Sequence, residues 1–303
     1  MDAGSARFSR RRFCAVAAGA AALAGCGRRR SRAESDQAAS SASAQDGIEP
    51  GSLEWAVAGD WRVQADRARD GWRHPAQSLR FWGLKPGVTV VEFWPGAGWY
   101  SDIIAPYLKR NGGKLIAVQF QAGASGDPAE AEIMKAYRHK FLGRSDLYGQ
   151  PTLSAFGPAT GAVAPAGSAD VVLFLRNLHD WMAAGIADKA FREAYAALKP
   201  GGVLGIEEHR ASPGDIPDPL ASDGYVQESY VKQLAMDAGF SFDASSEINA
   251  NPKDDHHHPF GVWTLPPTRQ SSLKGAPDPN FDHSKYDAIG ESDRMTLRFV
   301  KPK

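Results

Sequence analysis

Cysteine is nearly absent from this sequence of 303 residues, which contains only Cys14 and Cys26. Two cysteines so near the start cannot form a disulfide framework or a thiolate metal site in the rest of the chain. Long apolar runs are missing too, and the weakly apolar stretch at residues 14–24 is too short to span a bilayer. These absences exclude a disulfide-stabilised fold and a protein with several membrane-spanning helices.

An excess of charge of one sign is also missing, because 35 basic residues balance 35 acidic ones. A neutral chain argues against binding through bulk electrostatics, so no nucleic acid is expected as a partner. The charges are nevertheless unevenly distributed. Residues 1–32 hold eight of the basic and one of the acidic residues, which leaves 27 against 34 in the remainder, a net charge of −7. A basic leader therefore precedes a mildly acidic body.

The leader has the order of an export signal, with arginines first, then the short apolar stretch, then small residues. Its arginines at positions 10–12 resemble a twin-arginine signal, and residues 23–26 resemble a bacterial lipobox. The resemblance implies cleavage before Cys26 and lipidation of that cysteine, with the stretch from Arg28 to Arg32 next to anionic head groups. We expect a periplasmic, membrane-anchored protein. The alternative is a cytoplasmic protein with a chance arginine cluster.

Composition divides the chain into parts. Residues 33–52 are rich in Ser, Ala, Gln and Gly and lack apolar periodicity, which is typical of a flexible tether. The body behind it is long enough for one α/β domain. We predict a signal peptide over 1–25, a tether over 26–52 and a domain over 53–303, with a helical cap (53–83), a core (84–248), a long loop (249–292) and a final strand (293–303).

Short apolar runs alternate with helical patterns along the body. This alternation predicts an α/β fold, a Rossmann-like doubly wound and mostly parallel sheet with helices on both faces. Seven strands are expected, at residues 88–93, 114–118, 153–156, 169–175, 203–207, 240–245 and 296–300. The intervening helices are expected at residues 100–109, 128–142, 187–198 and 229–238.

The turn after the first strand carries two closely spaced glycines. Open α/β sheets bind ligands beyond the carboxyl ends of their strands, and glycine allows the backbone to turn tightly there. The turn lacks the lysine of a Walker-type phosphate loop and the third glycine of the dinucleotide fingerprint. It reads Glu92-Phe93-Trp94-Pro95-Gly96-Ala97-Gly98.

An acidic residue followed by G-x-G resembles motif I of class I S-adenosylmethionine-dependent methyltransferases, and residues 198–204 resemble the start of their fifth strand. More narrowly, the chain resembles a bacterial family of predicted, often exported methyltransferases. The resemblance implies an antiparallel last strand and S-adenosylmethionine as cofactor, but little about the substrate. We predict a methyltransferase that acts on a small molecule. The resemblance places the cofactor beside the glycine turn, Gln119 and Asn177. The segments that carry the narrower resemblance are residues 69–75, 177–180, 208–210, 251–255 and 293–302.

Two residues depart from the family pattern. Trp94 stands at the first glycine of motif I, and Gln119 stands where an acid would hold the ribose hydroxyls. Glutamine makes hydrogen bonds there, although without the added strength of a carboxylate. The alternative to an enzyme is therefore a lipid-anchored binding module that keeps the fold and has lost catalysis.

Polar residues follow the fourth and fifth strands. His179 and Asp180 come after the fourth strand, and His209 ends the fifth. An imidazole of ordinary pKa could deprotonate a methyl acceptor at neutral pH, so these three are the candidate catalytic residues. Capping of the next helix is the alternative role. The run from Asp254 to His258 is predicted to be a solvated loop, and no metal site is expected.

Overall fold

The computed structural model describes residues 47–273 and 276–303. The predicted signal peptide, Cys26, the stretch from Arg28 to Arg32 and most of the predicted tether lie outside these residues. Within the described ranges, no helix combines the length and the apolar character needed to cross a bilayer.

The described residues form the strands β1 (Thr89–Phe93), β2 (Lys114–Phe120), β3 (Thr152–Phe156), β4 (Ala169–Leu175), β5 (Leu198–His209), β6 (Ser241–Ser246), β7 (Pro259–Val262) and β8 (Arg294–Val300). All of these except β7 form one seven-stranded sheet, in the order β3-β2-β1-β4-β5-β8-β6. Strands β1 to β5 run parallel, and β8 lies antiparallel between β5 and β6. The predicted Rossmann-like, mostly parallel fold with a reversed last strand is confirmed.

Helices cover both faces of the sheet. The longest of the described helices, α6 (Pro128–Gly143), begins with a proline, and the Asp127 side chain accepts a hydrogen bond from the backbone N–H of Ala129. Both features favour a helix start. The helices are α1 (Leu53–Ala58), α2 (Gln64–Arg67), α3 (Asp70–Arg73), α4 (Pro75–Phe81), α5 (Ser101–Arg110), α6 (Pro128–Gly143), α7 (Ser145–Tyr148), α8 (Leu178–Ala183), α9 (Ala187–Ala197), α10 (Glu228–Asp237) and α11 (Ser284–Ile289).

An apolar core lies under each face of the sheet, because successive strand residues point to opposite sides. Phe93 and Val118 belong to one core, which α9 and α10 cover. Val90 and Ala117 belong to the other, which α5 and α6 cover. Strands buried on both faces read as continuous apolar runs, which is why β1 and β4 stand out in the sequence.

Strand β5 begins earlier than predicted. The sequence around Pro200 was expected to end a helix and leave a strand at 203–207, but the helix ends at Ala197 and the strand runs from Leu198. The cause is long-range pairing with the end of the chain. Gly201 donates its N–H to the Lys301 carbonyl at 2.8 Å, and Lys301 donates to the Gly202 carbonyl at 2.9 Å.

The segment between β6 and β8 is more ordered than its lack of periodicity indicated, since it contains β7 and α11. Buried asparagines hold it in place. The Asn249 amide donates to Ser78 Oγ and Thr296 Oγ1, both at 3.0 Å. The prediction of a solvated loop is wrong for Asp254, which is buried, and for the side chain of His258, which is enclosed. Asp254 Oδ1 and His258 Nε2 are 2.8 Å apart.

Candidate functional site

The glycine turn lies at the carboxyl end of β1, and three of its residues have left-handed backbones. The φ angles are +43° at Trp94, +58° at Gly96 and +89° at Gly98. A Cβ at Gly98 would lie 2.3 Å from the Phe141 ring, whereas a Cβ at Gly96 would have no atom within 4 Å. Gly98 is therefore required by packing against α6, and Gly96 leaves open space above the strand end.

Trp94 adopts a backbone conformation that glycine tolerates better, and its side chain crosses the strand ends. The indole Nε1 donates to the Phe156 carbonyl at 3.1 Å. The ring centroid lies 4.8 Å from that of Phe120 and 5.6 Å from that of Trp181. These aromatic side chains form an apolar wall over the ends of β1, β2 and β3.

Gln119 lies one residue before the end of β2, beside this turn. Its side chain is buried, and neither the amide oxygen nor the amide nitrogen has a hydrogen-bond partner among the described residues. The buried indole N–H of Trp181 is likewise unpaired there. Buried polar groups without partners cost about 1–3 kcal/mol each, so groups of this kind indicate a missing ligand or water.

Glu92 and Asn177 support the turn from below. The Ser101 hydroxyl donates to Glu92 at 2.6 Å, and burial raises the pKa of Glu92 to about 7 although this hydrogen bond lowers it. The Asn177 amide donates to the Phe93 and Trp94 carbonyls at 3.1 and 3.3 Å. Both residues were predicted to bind a cofactor, and in this structure their hydrogen bonds fix the backbone of the turn. Pro95 accepts a hydrogen bond from the Gly98 N–H at 2.9 Å, and Ala97 is exposed.

His179 is buried at the start of α8, against the end of β5. Its Nδ1 lies 2.9 Å from Glu208 Oε1, and its Nε2 lies 3.6 Å from Asp180 Oδ2. Burial disfavours the charged imidazole, but the Glu208 and Asp180 carboxylates outweigh burial and raise the pKa of His179 to about 9. A pKa of about 9 favours a protonated ring at neutral pH, so His179 would act as a base only after it has lost that proton.

His209 ends β5 with its ring centroid 5.3 Å from that of His179. Its Nδ1 lies 2.6 Å from Ser292 Oγ. Burial, the charged His179 and the nearby Arg176 hold the pKa of His209 well below its usual value. The two candidate histidines thus lie together at the strand ends, one charged and the other neutral.

Sequence reasoning missed an ionic network behind these histidines. Glu207 accepts hydrogen bonds from Arg176 Nη1 at 2.7 Å and from the Tyr100 hydroxyl at 2.8 Å. Arg294 lies 3.3 Å from Glu207 and 2.7 Å from Glu291. The only sequence signal was the pair of consecutive glutamates before His209, since charged residues are seldom buried without partners.

No protein-family model matches the chain, and no curated protein matches it. Its structure is similar to that of a protein from Galdieria sulphuraria assigned as a candidate sarcosine dimethylglycine methyltransferase. The identity is 15% and the TM-score 0.50, over 89% of this chain and 98% of that chain. A SAM dependent methyltransferase from Aquifex aeolicus is also similar, with 21% identity and a TM-score of 0.46 over 67% of this chain and 94% of that chain. With the sheet order, the first similarity shows a Rossmann-like fold.

Proposed function

We propose that this chain is an S-adenosylmethionine-dependent methyltransferase acting on a small molecule. The observation that carries the proposal is the buried amide of Gln119, which has no hydrogen-bond partner among the described residues. It lies at the end of β2, next to the glycine turn, where this fold binds ligands. An amide with unmet hydrogen bonds at that position suits the two hydroxyls of a ribose.

The residues present fit the cofactor at two further points. The open space above Gly96 allows a ligand to approach the backbone closely. The unpaired indole N–H of Trp181 offers a second donor. When bound, S-adenosylmethionine supplies an electrophilic methyl group on a sulfonium. The chain's part is to position the acceptor in line with that group and to exclude water.

The acceptor site of this proposal lies at the ends of β4 and β5. His179, Asp180 and His209 present polar groups there and would orient the acceptor. The aromatic wall formed by Trp94, Phe120 and Trp181 would keep water from the reacting atoms. Glu92, through Ser101, would hold the turn in a fixed position beneath them.

A binding module without catalysis is the second candidate, and Trp94 is the observation that favours it. The indole covers the strand ends and donates to the Phe156 carbonyl, so it takes up part of the space beside the glycine turn. A module of this kind would bind a ligand at the same edge of the sheet and release no methylated product.

Calorimetry of the full chain in detergent, with S-adenosylmethionine and S-adenosylhomocysteine, tests the cofactor. We expect binding that Gln119→Leu weakens at least tenfold, whereas Gln233→Leu on the exposed side of α10 leaves it unchanged. Absence of binding at millimolar ligand would refute the methyltransferase proposal. Binding without formation of S-adenosylhomocysteine, in the presence of pooled small-molecule acceptors, would support the binding module instead.

We further propose that the protein is exported and anchored through lipidated Cys26. Support comes from the sequence alone: the arginines at positions 10–12, the short apolar stretch and the lipobox-like residues 23–26. Palmitate labelling of the full chain should be lost in Cys26→Ser, and the label should co-sediment with membranes. An unlabelled product in the cytoplasmic fraction would show that the cytoplasmic alternative is correct.

A further inference from the structure

Three potential metal ligands meet at the ends of β4 and β5. His179, Glu208 and His209 each place one ligand atom within 4.8 Å of the ligand atoms of the other two. Two imidazoles and one carboxylate are the protein ligands of several catalytic zinc sites and of non-haem iron sites with open positions. The cluster was not expected from the sequence, because Glu208 was not recognised as a partner of the histidines.

The groups around the cluster orient its ligands. Ser292 Oγ contacts Nδ1 of His209 at 2.6 Å, and the Leu178 N–H donates to Glu208 Oε2 at 2.7 Å. Metal-binding histidines in proteins are usually held by such an outer partner on the second ring nitrogen. Glu208 and His179 are almost fully buried, whereas His209 is partly exposed, so the cluster has a dry base and an accessible side.

A second group of ligand types is formed by Asp254, Asp255 and His258. In the first group Glu208 accepts hydrogen bonds from the backbone N–H groups of Leu178 and His209 and contacts His179, whereas Asp254 has one further donor. The carboxylate of Asp254 already accepts hydrogen bonds from the Tyr225 hydroxyl, from two backbone N–H groups and from His258 Nε2. Its lone pairs are used in holding the segment between β6 and β8 together. This group is therefore structural, and it provides a matched control.

We propose that His179, Glu208 and His209 bind one divalent transition-metal ion such as Zn²⁺, with at least one coordination position open toward the accessible side. The ion displaces the proton of His179 to the solvent, because a histidine binds a metal only as the neutral imidazole. The donor set favours a borderline ion over Mg²⁺ or Ca²⁺, which prefer oxygen ligands. An ion there would lie where the acceptor of the proposed reaction binds, and it could also bind an oxygen or nitrogen ligand in the absence of any methyl transfer. The inference therefore does not depend on the methyltransferase proposal.

Equilibrium dialysis of the full chain against Zn²⁺ and Co²⁺ tests the site, with protein purified without a histidine tag or metal resin. We expect about one ion per chain, and a visible Co²⁺ spectrum of low coordination number. His209→Gln and Glu208→Gln each remove a direct ligand. They should therefore weaken binding by more than the roughly 10- to 100-fold that loss of a ligand's hydrogen-bond partner costs. His257→Gln, at an exposed histidine, and Asp255→Asn, in the structural group, should leave it unchanged.

Circular dichroism of each variant identifies any that fail to fold. If one of the two ligand variants does not fold, the other still tests the site. Equal metal binding by the wild type and by a folded His209→Gln or Glu208→Gln variant would overturn the proposal. So would loss of the ion in Asp255→Asn alone, because the ion would then belong to the structural group. A wild-type chain that binds no ion at millimolar Zn²⁺ would overturn it as well.

Discussion

Glu207 and Glu208 are consecutive residues of β5, and their carboxylates bind partners on opposite faces of the sheet. Glu207 contacts Tyr100 and Arg176, whereas Glu208 contacts the backbone and ring at the start of α8. Strand geometry produces this division, because neighbouring side chains point to opposite sides. The end of β5 thus supplies one carboxylate to the ionic network and a second carboxylate to the candidate site.

The two glutamates should differ in their effect on stability. Glu207→Gln leaves Arg176 without its nearest carboxylate, and an arginine cannot lose its proton, so we expect a loss of about 3–5 kcal/mol. Glu208→Gln leaves His179 free to release its proton, and we expect a smaller loss of about 1–3 kcal/mol. Urea denaturation in the presence of a chelator measures both. Equal losses of stability in the two variants would contradict this prediction.

Two glycines of the turn should tolerate alanine differently. Gly98→Ala places a Cβ 2.3 Å from the Phe141 ring and also strains a positive φ, so we expect a loss of about 2–4 kcal/mol. Gly96→Ala strains its φ alone and should cost about 1 kcal/mol. Thermal denaturation compares the two variants. A larger loss in Gly96→Ala would show that the space above that residue is not open.

The stability of the protein should depend on pH through Glu92, whose pKa is raised from 4.5 to about 7 by burial. Below pH 4.5 the carboxyl is protonated in both states, and its contribution to stability is fully present. As the pH rises toward 7 the unfolded state ionises first, which removes about 3 kcal/mol, and above 7 the loss is complete.

The difference in the free energy of unfolding between wild type and Glu92→Gln separates the contribution of Glu92 from those of the other titrating groups. The free energy of unfolding of wild type relative to the variant should fall between pH 4.5 and 7 and stay level above pH 7. A relative free energy that is constant across this range would mean that the pKa of Glu92 is not raised in the folded protein.

Replacement of Trp94 tests whether its indole hinders ligand binding. Trp94→Gly removes the ring from the strand ends and gives the left-handed backbone a residue that tolerates it. If the cofactor proposal is correct, S-adenosylhomocysteine should bind at least tenfold more tightly by calorimetry. Trp94→Phe keeps an aromatic ring and serves as the control. Weaker binding in Trp94→Gly would instead make the indole a contact of the ligand.

Local patterns were sufficient to predict most of the sheet. Strand β4 was predicted with its observed bounds because it is a continuous apolar run between polar segments. The start of β5 was missed because Pro200, Gly201 and Gly202 are local turn signals. The pairing of the two glycines with Lys301 is a contact about 100 positions away in the sequence. The strand and helix between β6 and β8 were missed because asparagine hydrogen bonds, which leave no periodic pattern, hold that segment.

The site was predictable in its place but not in its chemistry. The positions of His179 and His209 after two strands indicated the correct edge of the sheet. Their protonation states depend on Glu208 and Arg176, and no rule of spacing connects these residues to the rings. Gln119 was recognised as a departure from a family pattern, and only the structure reveals that its amide lacks a partner.

Strand β8 lies between β5 and β6, although every other strand of the sheet precedes it in the chain. During synthesis on the ribosome, β6 therefore has no neighbour to pair with until residues 294–300 have emerged. A nascent chain that stops before this point exposes two open strand edges, which are prone to aggregation. Folding of the domain is thus expected to wait for its last strand, and shortening that strand should trap insoluble intermediates.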